Sequence, residues 1–218
     1  NWSRPALADT GGQRLNYGRS LVAALLLKRT LRDQLGEEKC VGILLPPSVG
    51  GALANLAVIL DGRVPINLNY SAGESGLRSA IEQAGIGTIF TSRRFEQKAG
   101  MIGLPGKRLF LEDMMESFTA GEKIRTTIRA RLVPASRLLR GVSADPRGVA
   151  TIIFSSGSTA EPKGVMLSHF NVVSNVDALN TVFSVGRSHK MCGVLPLFHS
   201  FGFTGTLWFP LLSGFSAV

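Results

Sequence analysis

Apolar positions along this chain follow helical spacing in some stretches and form short continuous runs in others. Residues 19–36, "RSLVAALLLKRTLRDQLG", carry apolar side chains at helical spacing and predict a helix stopped by Gly36. Residues 40–46, "CVGILLP", predict a short buried strand. A helix is expected over 48–62, weakened by its glycines, and a second strand over 63–69. "SAGE", Ser71 to Glu74, has the spacing of a capping box, so a helix should begin there and run to Ala84. Further strands are expected at 86–92 and 107–113, a helix at 123–133 interrupted by Pro134, and a strand at 149–155. The rest reads as helix 171–183, strand 191–196, helix 200–213 and the start of a strand at 215–218. Short strands alternating with helices predict an α/β fold with a mainly parallel, doubly wound sheet and flanking helices. Ligands of such sheets sit beyond the carboxyl ends of the strands.

Two long uncharged stretches, 40–60 and 191–218, are long enough to raise the question of membrane spans. Pro46, Pro47, Gly50 and Gly51 break the first, and Pro196, Gly202, Gly205 and Pro210 the second, so strand, turn and buried helix explain them better. At 44% hydrophobic and 18% charged residues the chain is globular rather than disordered. Cys40 and Cys192 each lie in an apolar run, which predicts buried, reduced thiols rather than a disulfide framework. No secretory signal pattern follows Asn1, and the chain is expected to be part of a longer protein.

The net charge is +9. It fits an acidic partner, an anionic membrane or nucleic acid, and equally a chain whose acidic remainder lies elsewhere. The densest basic stretch is 123–140. There Ile124, Ile128 and Leu132 share one helix face, with Arg125 and Arg129 beside them and Arg137 and Arg140 after Pro134. Such a segment either packs its stripe on the sheet or meets an anionic membrane or an acidic carrier protein. A nucleic-acid role has no motif behind it and few aromatics among the arginines.

The strongest chemical signal is "FSSGSTAEPKGVMLSH", which follows the strand at 149–155. Hydroxyls and bare backbone N–H groups bind oxyanions, and a lysine neutralises them. The string lacks the G-x-x-x-x-G-K-[ST] of a Walker loop and the G-x-G-x-x-G of dinucleotide sites. Its composition alone also fits an ordinary flexible loop. As an ordered string it resembles the phosphate loop of the adenylate-forming superfamily, which includes acyl-CoA synthetases, luciferase-like enzymes and peptide-synthetase adenylation domains. Nine of the pattern's ten positions match, from Ser155 to Thr159 and from Glu161 to Gly164; the departure is Ala160, where the family has Gly. "LPLFHSFGFT", 195–204, is similar to the family segment that lines the acyl and adenylate pocket. A histidine on an apolar stretch is ordinarily a core residue, and the resemblance is what gives His199 a pocket role. Segments 69–95 and 195–204 look most like the adenylating half of bifunctional acyl-[acyl-carrier-protein] synthetase/2-acylglycerophosphoethanolamine acyltransferases.

The resemblance implies that residues 1–218 are part of an N-terminal adenylation domain, without the rest of that domain and a C-terminal domain with a catalytic lysine. It implies ATP and Mg²⁺ as cofactors, a fatty acid as substrate and acyl carrier protein or CoA as acceptor. It implies phosphate binding by Ser155, Ser156, Gly157, Ser158, Thr159, Lys163 and Gly164, catalysis by Lys163 and His199, and a pocket lined by Phe198, His199, Gly202 and Phe203. For the phenylalanines, core packing is the alternative. The Mg²⁺ ligands are not assigned. A cytoplasmic protein is expected, peripheral on the inner face of the cell membrane, and residues 1–218 alone are expected to be inactive. An acyl-CoA ligase for another acid is the neighbouring reading, and a basic binding module without chemistry is the reading from a different class.

Overall fold

A computed structural model describes residues 1–100, 103–143, 145–155 and 162–218. Its first elements are strands β1 (Pro5–Ala8) and β2 (Arg14–Asn16), which form an antiparallel pair, and helix α1 (Tyr17–Gln34). Then come β3 (Cys40–Leu44), α2 (Val49–Leu60), β4 (Val64–Asn67), α3 (Gly73–Gln83), β5 (Thr88–Thr91), α4 (Arg93–Ala99) and β6 (Lys107–Phe110). The four strands pair in the order β4-β3-β5-β6, all parallel, with Gly42 of β3 opposite both Ile66 and Ile89.

Alternation along β3 explains why helices cover both faces. Val41 and Ile43 point into one core with Leu27 and Leu31 of α1 and Ala54 and Val58 of α2. Leu44 points the other way, into a core built with Leu77 and Ile81 of α3. This is the doubly wound α/β arrangement that the strand–helix alternation predicts.

The amide pair Asn55–Asn67 sits between these layers. Asn55 Nδ2 donates to Asn67 Oδ1 at 3.0 Å and Asn67 Nδ2 returns a bond to Asn55 Oδ1 at 2.9 Å. Asn55 is fully buried and also reaches the Gly51 carbonyl at 2.9 Å. Buried polar groups hold their place only when satisfied, so this pair ties α2 to the carboxyl end of β4 in one register.

After β6 come α5 (Leu111–Ser117), α6 (Ala120–Leu132) and α7 (Ala135–Leu138). Thr119 and Glu122 form a capping box at the start of α6. Next are β7 (Val149–Ser155) and β8 (Lys163–Ser168), an antiparallel pair, and α8 (His169–Val182). β7 lies beside β4, where Thr151 Oγ1 donates to the Pro65 carbonyl at 2.7 Å. β9 (Lys190–Met191), a π-helical turn over Gly202–Trp208, α9 (Phe209–Ser213) and β10 (Ser216–Ala217) complete the chain. β10 pairs in parallel with β1 and β9, in the order β2-β1-β10-β9.

Several expectations change. No capping box forms at Ser71–Glu74. The Asn69 carboxamide oxygen takes the Ser71 N–H and hydroxyl, at 3.0 and 2.6 Å, and Ala72 becomes the N-cap without a side-chain bond. The strand expected at 191–196 is shorter: beyond the pairs of Lys190 and Met191, the Val218 N–H donates to the Met191 carbonyl at 2.9 Å and the Gly193 N–H to the Val218 carbonyl at 2.7 Å, which carries the parallel bonding to Gly193. Strand 107–113 stops at Phe110, and α5 begins at once. β1, β2, β8 and α4 have no counterpart in the sequence reading. α1 ends at Gln34, two residues before the expected Gly36 stop. Both cysteines are free thiols as expected, yet Cys192 is exposed and Cys40 only half-buried. Burial pushes the Cys40 thiol upward. No helix among the described residues is long and apolar enough to cross a membrane.

α6 reverses the simple amphipathic reading. Its apolar stripe faces outward, with Ile128 54% and Leu132 75% exposed. Glu122, Thr126 and Ala130, one helix turn apart, are its half-buried positions.

Tyr17 ties the two ends of the chain together. Its hydroxyl lies 2.7 Å from the Phe215 carbonyl and 3.0 Å from that of Pro210. Burial pushes its pKa up to about 12, against the pull of Arg4.

Two predictions follow from this packing. Asn67→Ala leaves the buried Asn55 amide short of two bonds and should lower the unfolding free energy by about 2–3 kcal/mol, read by urea titration. The Tyr17 contribution to stability is full below pH 10, the ordinary value of a tyrosine in the unfolded chain, and is lost as pH rises through about 12. Denaturation midpoints should therefore fall between those values in the wild type more steeply than in Tyr17→Phe.

Candidate functional site

The string that reads as a phosphate loop spans the turn between β7 and β8. Ser155 ends β7 and Lys163 opens β8, facing each other in the ladder. The Ser155 hydroxyl is 3.5 Å from the Lys163 carbonyl. Ser156, Gly157, Ser158 and Thr159, together with Ala160 and Glu161, lie outside the described residues. The hairpin is held from below. Ile152 and Phe154 of β7 pack on the core around α3, and Gln83 Nε2 of α3 donates to the Pro162 carbonyl at 3.0 Å.

Gly164 has a packing reason. A Cβ there would stand 3.0 Å from Ile152 and 3.1 Å from Phe154, so glycine lets β8 lie close across those side chains without pushing them aside. Lys163 is exposed, and its ammonium makes no hydrogen bond or ion pair with another described residue. A cation on a strand end beside a hydroxyl, with no described carboxylate bound to it, suits an incoming anion.

The second group forms around Tyr70, which follows β4. Its ring meets Phe95 edge-on at 5.1 Å and Phe198 edge-on at 4.8 Å. Phe198 in turn lies 4.7 Å from the exposed His199 ring. Burial raises the Tyr70 pKa, so its hydroxyl stays protonated at neutral pH. The sequence reading did not single out Tyr70. Its signal was available only in the position just beyond a strand's carboxyl end, where α/β sheets bind ligands.

The other expected pocket residues do different work. Phe203 is fully buried, in the core with Leu207 and edge-on to Trp208 at 5.9 Å. It packs the core instead of lining an open pocket, which is the alternative the sequence left open. Gly202 starts the π-helical turn. A Cβ there would be 2.1 Å from the Pro196 carbonyl, so the glycine permits the backbone to cross itself. The Thr206 hydroxyl caps this turn by donating to the Gly202 carbonyl at 2.6 Å. π-helical turns concentrate at functional sites, and here the turn sets the direction of the 195–201 segment.

A cavity of about 330 Å³ lies beside that segment, between the carboxyl ends of β1 and β3. Its apolar walls include Leu7, Ala52, Leu197 and Leu207, with Asp9, Ser48 and Thr206 as polar points. Phe198 and His199 are not among its walls. Asp9 accepts the Val49 N–H at 3.0 Å and Ser48 the Gly51 N–H at 3.1 Å, so the start of α2 is already capped. Among the described residues no hydrogen bond, ion pair or ring contact joins Lys163 to His199. Nor do three His, Cys, Asp or Glu side chains converge there to hold a metal ion.

The fold is that of the N-terminal domain of adenylate-forming enzymes. O-succinylbenzoate coenzyme A synthetase from Bacillus subtilis, solved with AMP, superimposes with a TM-score of 0.77 at 20% identity, over 99% of this chain and 51% of that one. VinN superimposes with the same TM-score of 0.77 at 19% identity, over 99% of this chain and 55% of that one. The AMP-binding enzyme family profile matches residues 1–218, and the chain belongs to that family. A CoA ligase from Gibberella moniliformis is 41% identical over 156 residues, 70% of this chain and 24% of that protein. Tyrocidine synthase 1 from Brevibacillus parabrevis is 24% identical over 209 residues, 94% of this chain and 17% of that protein. The chain thus spans a quarter or less of these two curated relatives.

The close approach at Gly202 yields a direct prediction. Gly202→Ala should cost about 3 kcal/mol or more, because the contact is with backbone that has nowhere to move. Loss of the cooperative thermal transition, or a fall of its midpoint by roughly 10 °C, would be the measured sign.

Proposed function

We propose that the full-length protein uses ATP to activate a carboxylic acid as an acyl adenylate and then passes the acyl group to a thiol. The observation that carries this reading is the ordered string from Ser155 to Gly164 at a hairpin turn, with Lys163 free of any described carboxylate, in a chain of the AMP-binding enzyme family. In the first step a carboxylate oxygen attacks the α-phosphorus of ATP. The bond to the β-phosphate bridge breaks, and pyrophosphate leaves with that electron pair. In the second step a thiol sulfur attacks the acyl carbon. The acyl–phosphate bond breaks, AMP leaves, and the thiol proton goes to solvent.

The first step brings two anions together, so the protein's part is to offset charge and fix alignment. In this reading the Lys163 ammonium neutralises charge gathering on the leaving pyrophosphate. Ser155, Ser156, Gly157, Ser158 and Thr159 supply hydroxyl and backbone N–H donors to phosphate oxygens, and Gly164 keeps the strand close to them. His199, held against Phe198, orients the carboxylate, and the Tyr70–Phe198 wall shields that place from water. Mg²⁺ would add charge neutralisation on the phosphates, and the described residues offer no ligand cluster for it.

The finer reading is a fatty acid as substrate, acyl carrier protein as acceptor and a link to phospholipid reacylation at the inner face of the membrane. The similarity of segments 69–95 and 195–204 to acyl-carrier-protein synthetases supports it. CoA as acceptor is the second reading, supported by the CoA ligase that is 41% identical.

Acid-dependent exchange of labelled pyrophosphate into ATP tests the core reading. In the full-length protein Lys163→Ala should slow it by roughly 10²-fold or more, as loss of a charge clamp does. Exchange at the wild-type rate in that variant, or none with any fatty, aryl or amino acid, would contradict the reading. Thioester formation with carrier protein compared with CoA then separates the acceptors.

A further inference from the structure

α1, α6 and α7 enclose a cleft of about 580 Å³ on the surface of the domain. Lys28, Arg29 and Arg32 line it from α1, and Arg125 and Arg129 from α6. Arg137 and Arg140, in and just after α7, close the far side. The neighbouring carboxylates are already committed. Asp61 accepts Arg32 through Oδ1 at 3.0 Å and Arg63 through Oδ2 at 2.8 Å. Glu122 accepts Arg29 through Oε1 at 2.9 Å, and its Oε2 serves the Thr119 N–H and hydroxyl at the helix cap. Lys28, Arg125, Arg129, Arg137 and Arg140 therefore face the cleft without an ion-pair partner among the described residues.

Lys28 is the telling member. It is only 8% exposed, and its ammonium makes no hydrogen bond with a described residue. Its stem is packed into the cleft wall, and the ammonium opens to the cleft without a described partner. Burial, and after it the Arg32 guanidinium, pushes its pKa below the ordinary value, with Asp61 pulling the other way and Arg129 adding to the fall. An ordinary solvated face leaves its lysines free to swing, whereas this stem is packed so that its ammonium stays among the guanidiniums of the cleft. An anion seated there would supply the missing partner and relieve the repulsion among the arginines.

We propose that this cleft is a binding site for a phosphate-bearing anion, separate from the β7–β8 turn. Guanidiniums from two sides and a lysine at the base match the tetrahedral oxygens of a phosphate group, which Arg grips in pairs. The source is either a free polyphosphate or a lipid headgroup. The lipid source would also use the outward stripe of Ile124, Ile128 and Leu132, since Arg125 and Arg129 lie next to it around α6. The inference stands apart from the adenylation reading and survives its failure.

The test uses the full-length protein at 0.15 M salt with two probes, tripolyphosphate and vesicles of phosphatidic acid in phosphatidylcholine. Three proteins are compared: wild type, Arg125→Gln/Arg137→Gln, and Lys28→Met. Both arginines are exposed, so the double variant should fold and keep its pyrophosphate exchange rate. Lys28→Met retains the buried stem and removes a cation that Arg32 and Arg129 repel, so it should melt higher than wild type when no probe is present. Tripolyphosphate at a hundred-fold excess over its Kd should raise the wild-type melting temperature by roughly 5 °C or more. Any anion held at the β7–β8 turn contributes equally to wild type and variants, so the difference between them reads the cleft. A loss of tripolyphosphate affinity of roughly 10-fold or more in both variants supports a soluble source. Vesicle co-sedimentation that requires phosphatidic acid and falls in both variants, without a difference in tripolyphosphate binding, supports the lipid source. If neither probe binds, or the variants bind both as wild type does, the proposal is overturned.

Discussion

A parallel strand cannot return by a tight hairpin, and most of this molecule follows from that restriction. Each step from β3 to β4, β5 and β6 requires a crossover. Because β4 lies on one side of β3 and β5 on the other, the crossovers fall on opposite faces. α2 joins α1 in one core, and α3 joins α4 in the other. Strands buried on both faces become nearly continuous apolar runs. The open positions then collect at the carboxyl edge, where Asn67, Tyr70 and the cavity beside Leu197 are found. The site is where the sheet has no alternative but to leave space.

That edge is kept in register by polar bonds that a greasy core would not supply. The Asn55–Asn67 exchange, the Thr151 hydroxyl on the Pro65 carbonyl and the Thr91 hydroxyl on the Leu44 carbonyl are all buried. Each has one satisfying geometry, so each penalises a slipped strand in a way that apolar packing does not. The hairpin bearing Ser155 and Lys163 rests on this frame through Ile152, Phe154 and Pro162. The outward side of that hairpin and the helix after it are unusually apolar. Met166 and Phe170 are 67% and 62% exposed.

Charge is distributed as unevenly as apolar surface. The cations of α1, α6 and α7 meet across one cleft, whereas Arg78, Arg93 and Arg108 are each paired with a carboxylate elsewhere. The Arg78–Glu74 and Arg93–Asp113 pairs are exposed and add little to stability. Those cleft cations without a described carboxylate partner are a part of the +9 balance that chemistry has to account for.

Local pattern in the sequence was enough for β3, α2, β4, β5 and β7, because their apolar runs and periodicity reflect burial directly. It was also enough for the family, since order and identity of residues carry that information without coordinates. It was not enough where partners distant in the chain decide the outcome. Ser71 and Glu74 have the spacing of a capping box, but Asn69 competes for the same serine. Ile124, Ile128 and Leu132 have the spacing of a core stripe, but Glu122 and the cations of α1 turn the other face of α6 inward. Phe203 and Phe198 look alike in one motif, yet the π-helical turn at Gly202 sends one into the core and the other to Tyr70. Lys28 reads as one more surface lysine until α1 and α6 are brought together. Local sequence records which residues prefer burial or charge, and tertiary structure decides which of them must share a space.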